Sequence, residues 1–187
     1  MRRLVIGLAF ATFASACSKA DSSALAEEAT RRDRVARAFS ADAGSLPSWN
    51  VSNTDEINYA DGFSLIMHES GGFRGGGFRW MGQRGVVRLK THGARPMHLL
   101  TYGWVNVKVL QTTPTITAFL DGRPIGTSTP PPDTGLWGID VVVPAVYLEG
   151  HDRVELTVVS SSVAWPWAEV PGITVIAFNN LSWTEAP

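Results

Sequence analysis

From Leu46 to the carboxyl end, apolar residues come in short runs rich in Val, Ile, Thr and aromatics, each closed by Gly, Pro or Asp. No segment in this stretch sustains a 3.6-residue apolar period. Short runs broken by turn formers are the pattern of strands in stacked antiparallel sheets. The runs are Phe63 to Glu69, Phe78 to Met81, Gly85 to Thr91, Met97 to Tyr102, Val105 to Leu110, Thr115 to Asp121, Trp137 to Val143, Arg153 to Ser160 and Ile173 to Trp183. The chain therefore reads as all-β, an antiparallel β-sandwich.

Alternation within the runs assigns faces. Val154, Leu156 and Val158 share one side of their run, with Glu155 and Thr157 on the other, as a half-buried strand requires. Val105, Val107 and Val109 repeat this arrangement, with Asn106 and Lys108 outside. The last run is apolar on both faces and is expected at the centre of a sheet. Asp121-Gly122, set between Ile116 to Leu120 and Pro124-Ile125, predicts a tight hairpin, because such turns need positive φ.

Ahead of Leu46 the composition changes. Residues 1–16 have the three parts of an export signal: Arg2 and Arg3, an apolar stretch from Leu4 to Phe13, then Ala14, Ser15 and Ala16. That apolar stretch is shorter than the roughly 20 residues that span a bilayer. Ala14-Ser15-Ala16-Cys17 resembles the lipobox of bacterial lipoproteins, with Ala14 where Leu is more common. Cys17 is the single cysteine of the chain, so no intramolecular disulfide can form, and lipid attachment would consume an otherwise free thiol. The resemblance implies cleavage before Cys17 and a membrane partner through an N-terminal lipid. Ser18, rather than Asp, favours the outer membrane by the same resemblance. Residues 17–45 are rich in Ala, Ser and charge, with helix formers around Leu25 to Phe39, and read as a partly helical tether. Residues 46–187 are then the sandwich domain, a length that suits one domain.

Charge within that domain is uneven. Ser70 to Leu120 holds Arg74, Arg79, Arg84, Arg88, Lys90, Arg95 and Lys108 without an acid, whereas Asp121 to Pro187 holds eight acids against Arg123 and Arg153. Strands of the two halves lying side by side would place opposite charges across a sheet. The alternative is a basic patch for an anionic polymer, with Arg88 and Lys90 on one strand face.

Seven tryptophans raise the possibility of sugar binding, since an indole face stacks on the C–H face of a pyranose. Trp104 and Trp183 sit among apolar residues and are assigned to the core. Trp165 and Trp167 fall in a loop around Pro166, and Trp137 borders the loop of Thr129 to Asp133, so these three are the candidate contacts.

Chemical motifs are otherwise weak. The stretch Gly71 to Gly77 lacks the following helix and Lys-Ser or Lys-Thr pair of a phosphate loop, and reads as a hairpin loop. No G-x-S-x-G elbow occurs. His68 and Glu69 are adjacent and point to opposite faces of a strand. His92 and His98 flank a turn, yet two histidines do not specify a metal site. Glu69, Asp121 and Asp140 would serve as glycan-cleaving carboxylates only if the fold paired them. No enzymatic activity, cofactor, metal or nucleic-acid partner is expected.

Gly62-Phe63 leading to Glu69, Phe78-Arg79-Trp80-Met81, Val86 to Leu89 and Phe119-Leu120-Asp121-Gly122 together resemble a β-sandwich module that accompanies bacterial glycosyltransferases and other surface-polysaccharide proteins. The resemblance runs from about Gly62 to Trp183. It implies a jelly-roll or galactose-binding-like sandwich and a partner among surface glycans, and it implies no catalytic residue. The expectation is a membrane-anchored, non-catalytic lipoprotein binding a carbohydrate or other envelope component. Docking on an envelope protein is the alternative, and a glycan-cleaving enzyme the third.

Overall fold

The computed structural model describes residues 26–27, 29–31, 33–37, 51–66, 77–162 and 176–187. Within these residues the alternating runs become eight strands: β1 (Ile57–Phe63), β2 (Arg79–Lys90), β3 (Met97–Val105), β4 (Ile116–Leu120), β5 (Arg123–Ser128), β6 (Leu136–Val143), β7 (Arg153–Ser160) and β8 (Ile176–Glu185). Every pairing is antiparallel. Their order is β5-β4-β7-β2-β8-β3-β6, with β1 added on β2.

The two layers arise at β2. Its residues Arg84 to Lys90 pair with β7, while Arg79 to Met81 pair with β8. One layer is thus β5-β4-β7-β2-β1, and the other is β8-β3-β6 joined to the start of β2. The far ends come back together, since the Gly138 amide of β6 donates to the Ser128 hydroxyl of β5 at 3.1 Å. The result is a nearly closed, jelly-roll-like antiparallel sandwich.

Inward side chains of both layers make one core. Val87, Leu89, Ala118, Leu120, Leu156 and Val158 meet Met97, Leu99, Ile139, Ile176 and Phe178 there. Burying one such large aliphatic or aromatic side chain is worth about 1.5–3 kcal/mol. Aromatic contacts run through it, edge-on from Tyr59 to Phe63 at 5.0 Å and from Phe63 to Phe178 at 5.2 Å, and tilted from Phe178 to Trp137 at 5.2 Å between ring centres.

Most expected strands form, and three details differ. Asp121 and Gly122 both take positive φ, 45° and 78°, which closes the predicted hairpin between β4 and β5. The two runs Phe78 to Met81 and Gly85 to Thr91 are one continuous strand. Val105 to Leu110 is not a strand: β3 ends at Val105, and Val107–Leu110 is one helical turn, with the Leu110 amide bonded to the Asn106 carbonyl at 3.0 Å. Also, the strand expected over Phe63 to Glu69 does not form in its described part: β1 runs Ile57–Phe63 and ends where that run begins, with Ser64 to Ile66 outside any strand. Its pairing with β2 shifts register between Tyr59 and Asp61 and again between Asp61 and Phe63.

Residues described between 26 and 37 are helical, as the helix formers there predict. They do not hang free of the domain. Val35 is 3% exposed and packs where Gly138 lacks a side chain, because a Cβ at Gly138 would lie 2.3 Å from Val35 Cγ1. Among the described residues no helix is long and apolar enough to cross a membrane. The expected export signal, Cys17 and the expected boundary at Leu46-Pro47 lie outside the described residues.

Candidate functional site

Parity along β2, β8 and β3 assigns the tryptophans. Met81 of β2, Ile176 and Phe178 of β8, and Val105 of β3 belong to the core, so the residues alternating with them face outward. Trp80, Ala177 and Trp104 are those residues, and they lie in register on three adjacent strands. Leu136 of β6 continues the row beyond Trp104. Trp80 and Trp104 are therefore two strand spacings apart, roughly 10 Å, with only a methyl group between them. Both indoles are half-buried. Trp80 meets Phe78 edge-on at 5.1 Å, and the Trp104 indole reaches toward Gly135, where a Cβ would lie 3.0 Å from its Nε1.

The next outward row along the same strands is polar and small. Tyr102 of β3 is in register with Asn180 of β8 and Gly138 of β6. The Asn180 amide donates to the Tyr102 hydroxyl at 3.2 Å. Between Phe178 and Asn180, β8 carries an extra residue, Asn179, opposite the step from Tyr102 to Gly103. Its Oδ1 is buried without a hydrogen-bond partner. Ala177 and Tyr102 are themselves buried, so the two half-buried indoles and the Asn180 amide are the groups that can stack on an apolar ring face and meet hydroxyls at its edge.

The sequence-based candidates fall elsewhere. Trp137 is fully buried, and its Nε1 donates to the Ala177 carbonyl at 3.1 Å. This corrects its assignment as a contact residue: it is the second residue of β6, it faces inward, and Gly103 opposite leaves space for the indole. Trp104 is corrected in the other direction, from core to outer face. Trp183 is buried as expected, and its indole N–H donates to the Lys90 carbonyl at 2.7 Å. Trp165 and Trp167 lie outside the described residues, as does Glu69. In sequence the two tryptophans fall between β7 and β8, and Glu69 between β1 and β2.

Arg88 and Lys90 do share an exposed face of β2, in the other layer. Acids from other segments meet much of this basic stretch. Lys90 Nζ is 3.5 Å from Glu56, Arg84 is 3.4 Å from Glu155, and Arg95 is 2.7 Å from Glu185. Arg88 is in register with Glu155. The side-by-side arrangement of the two charged halves is the one the strands adopt, and exposed pairs of this kind contribute little, about 0–1 kcal/mol each. Burial is the largest single influence on the Glu56 carboxyl and raises it, but hydrogen bonds and charge from His92 and Lys90 together bring it below the ordinary carboxylate range.

The carboxylates considered for catalysis are occupied structurally. Asp121 accepts the Glu155 amide at 2.8 Å in the hairpin. Asp140 is held at 2.6 Å by both His98 Nε2 and Arg34 Nε. His92 pairs with Glu56 instead of approaching His98. Among the described residues no group of three or more His, Cys, Asp or Glu side chains could hold a metal ion.

The chain matches no protein-family model and no curated protein. Solved structures similar to it include a family 35 carbohydrate binding module from an environmental isolate, 15% identical, covering 68% of this chain and 91% of that one at a TM-score of 0.44. Another is the family 35 module from Clostridium thermocellum, 8% identical, covering 70% and 97% at a TM-score of 0.41. A third is the module of this type from Cellvibrio japonicus Abf62, 14% identical, covering 70% and 93% at a TM-score of 0.42. No residue or ligand is carried over from them.

Proposed function

We propose that this chain is a lipid-anchored, non-catalytic β-sandwich of a bacterial cell envelope that binds a carbohydrate on the outer face of its β8-β3-β6 layer. The observation that carries the reading is the register of Trp80, Ala177 and Trp104. Large half-buried aromatics on a solvent-side face are expensive to keep out of a core unless a ligand uses them, and paired indoles flanking a methyl group suit a pyranose ring. Neutral polar groups, Asn180 and Tyr102, stand beside this row, while Arg84, Arg88 and Lys90 belong to the other layer. Stacking on a sugar therefore fits the site better than charge-driven capture of an anionic polymer.

The anchor reading rests on the sequence. Ala14-Ser15-Ala16-Cys17 follows a short apolar stretch, and lipid on Cys17 would place the sandwich on the outer membrane. Metabolic labelling with radioactive palmitate tests it: the wild type takes up label, and Cys17→Ala does not. Label retained by Cys17→Ala would exclude lipidation at that residue.

For binding, the mature chain is screened on immobilised neutral and anionic envelope glycans at low and high salt. Retention on neutral glycans that survives high salt is expected. Retention confined to anionic glycans and abolished by salt would move the site to the arginines of β2. No retention at all would remove the carbohydrate reading and leave docking on an envelope protein.

A further inference from the structure

The helical segment within residues 26–37 is fastened to the sandwich by polar contacts around one apolar side chain. Among its described residues Val35 alone is buried. Around it, Arg34 Nε donates to Asp140 Oδ2 at 2.6 Å, and Arg31 donates to the Thr127 carbonyl at 2.9 Å. The other Asp140 oxygen lies 2.6 Å from His98 Nε2, so one carboxylate joins the helix to both β3 and β6. A helix of about three turns is marginal in water without packing. Among the described residues its attachment to the sandwich includes a charge-assisted latch and the Val35 side chain seated over Gly138.

The seat is next to the tryptophan row. Gly138 is in register with Tyr102, which is 1% exposed although it points away from the core. Tyr102 and Trp104 are two residues apart on β3, a separation of about 7 Å. The helix therefore lies over the outer face where the row of indoles ends.

We infer that this helix is a releasable strap. Docked, it covers the Tyr102 and Gly138 row and forms one wall of the Trp80 and Trp104 site. Released, it bares that row for a longer ligand and adds its own length to the tether that leads back to Cys17. The link to ligand and anchor rests on the function proposed above; the latch itself does not.

Trypsin digestion of the mature chain reads the latch directly, because Arg31, Arg34 and Arg37 are cleavage sites within the strap. Cleavage after Arg31 and Arg34 is expected to be slow in the wild type at low salt. It is expected to be several-fold faster in Val35→Asp and in Asp140→Asn, and high salt is expected to speed cleavage of the wild type but not of Asp140→Asn. Val35→Asp changes only the helix, and an unchanged near-ultraviolet circular dichroism spectrum shows that its sandwich is intact. In that variant, nitration of Tyr102 by tetranitromethane is expected to rise. Wild-type cleavage rates in both variants, or a Tyr102 no more reactive in Val35→Asp, would overturn the strap. None of these measurements uses a glycan, so failure to bind sugar leaves their outcome unchanged.

Discussion

Tyr59 sits in the core with its hydroxyl buried and without a hydrogen-bond partner, while its ring lies 4.7 Å beneath the Arg79 guanidinium. Burial pushes the phenol above its ordinary range, more than the nearby Arg79 charge pulls it down. A raised folded-state value means that the contribution of this group is intact below the unfolded value, about 10, and is lost as pH rises beyond it. Tyr59→Phe removes an orphaned donor and keeps the ring. It should raise stability by about 1 kcal/mol, and urea denaturation above pH about 10 should show less loss than in the wild type. A less stable Tyr59→Phe would mean that the hydroxyl has a partner. Trp137 teaches a related lesson about reading single residues. Its neighbourhood of prolines resembles an exposed loop, yet strand parity and the glycine across from it at position 103 send the indole inward. Position relative to a loop is visible in a sequence; the residue opposite is not, because pairing partners are far apart in the chain.

At the scale of elements, alternation and turn chemistry were the legible parts. β7 shows its inward face in Val154, Leu156 and Val158, and Asp121-Gly122 sets its hairpin, because both signals are local. The valines at 105, 107 and 109 alternate equally well but fall where the chain turns, and the bonds from Leu110 to Asn106 and from Gln111 to Val107 make a helical turn instead. β1 was hidden by its own residues. Asn58, Asp61 and Gly62 look like a turn, and the strand exists because β2 and Arg79 hold it. Arg79 is buried, with Nε donating to the Val51 carbonyl at 2.6 Å and NH1 to the Ser64 carbonyl at 2.7 Å, one contact on each side of β1. Charge-assisted bonds of this kind contribute about 1.5–3 kcal/mol each. Arg79→Ala should therefore cost about 3 kcal/mol in chemical denaturation and speed amide exchange in Ile57–Phe63 before the rest of the sheet. Uniform exchange across all strands would contradict this local role.

For the whole molecule, the strand pattern located the sandwich, while the proposed binding face depends on a register that no linear pattern encodes. Trp80, Ala177 and Trp104 come from three separate strands, and only the pairing of β2 and β3 on either side of β8 brings the two indoles to one row. The uneven charge, conspicuous in the sequence, is spent in part on pairs between segments such as Arg84 with Glu155 and Arg95 with Glu185. The central claim is that sugar is held by the two indoles of this row. Isothermal titration calorimetry tests it on the chain with the neutral oligosaccharide that best retains it, comparing wild type with Trp80→Ala, Trp104→Ala, Trp165→Ala and Arg88→Ala. The account predicts that Trp80→Ala and Trp104→Ala each weaken binding at least about tenfold, about 1.4 kcal/mol, with Arg88→Ala unchanged. Full affinity in both of those variants, with binding lost in Trp165→Ala, would contradict it and place the sugar on the loop.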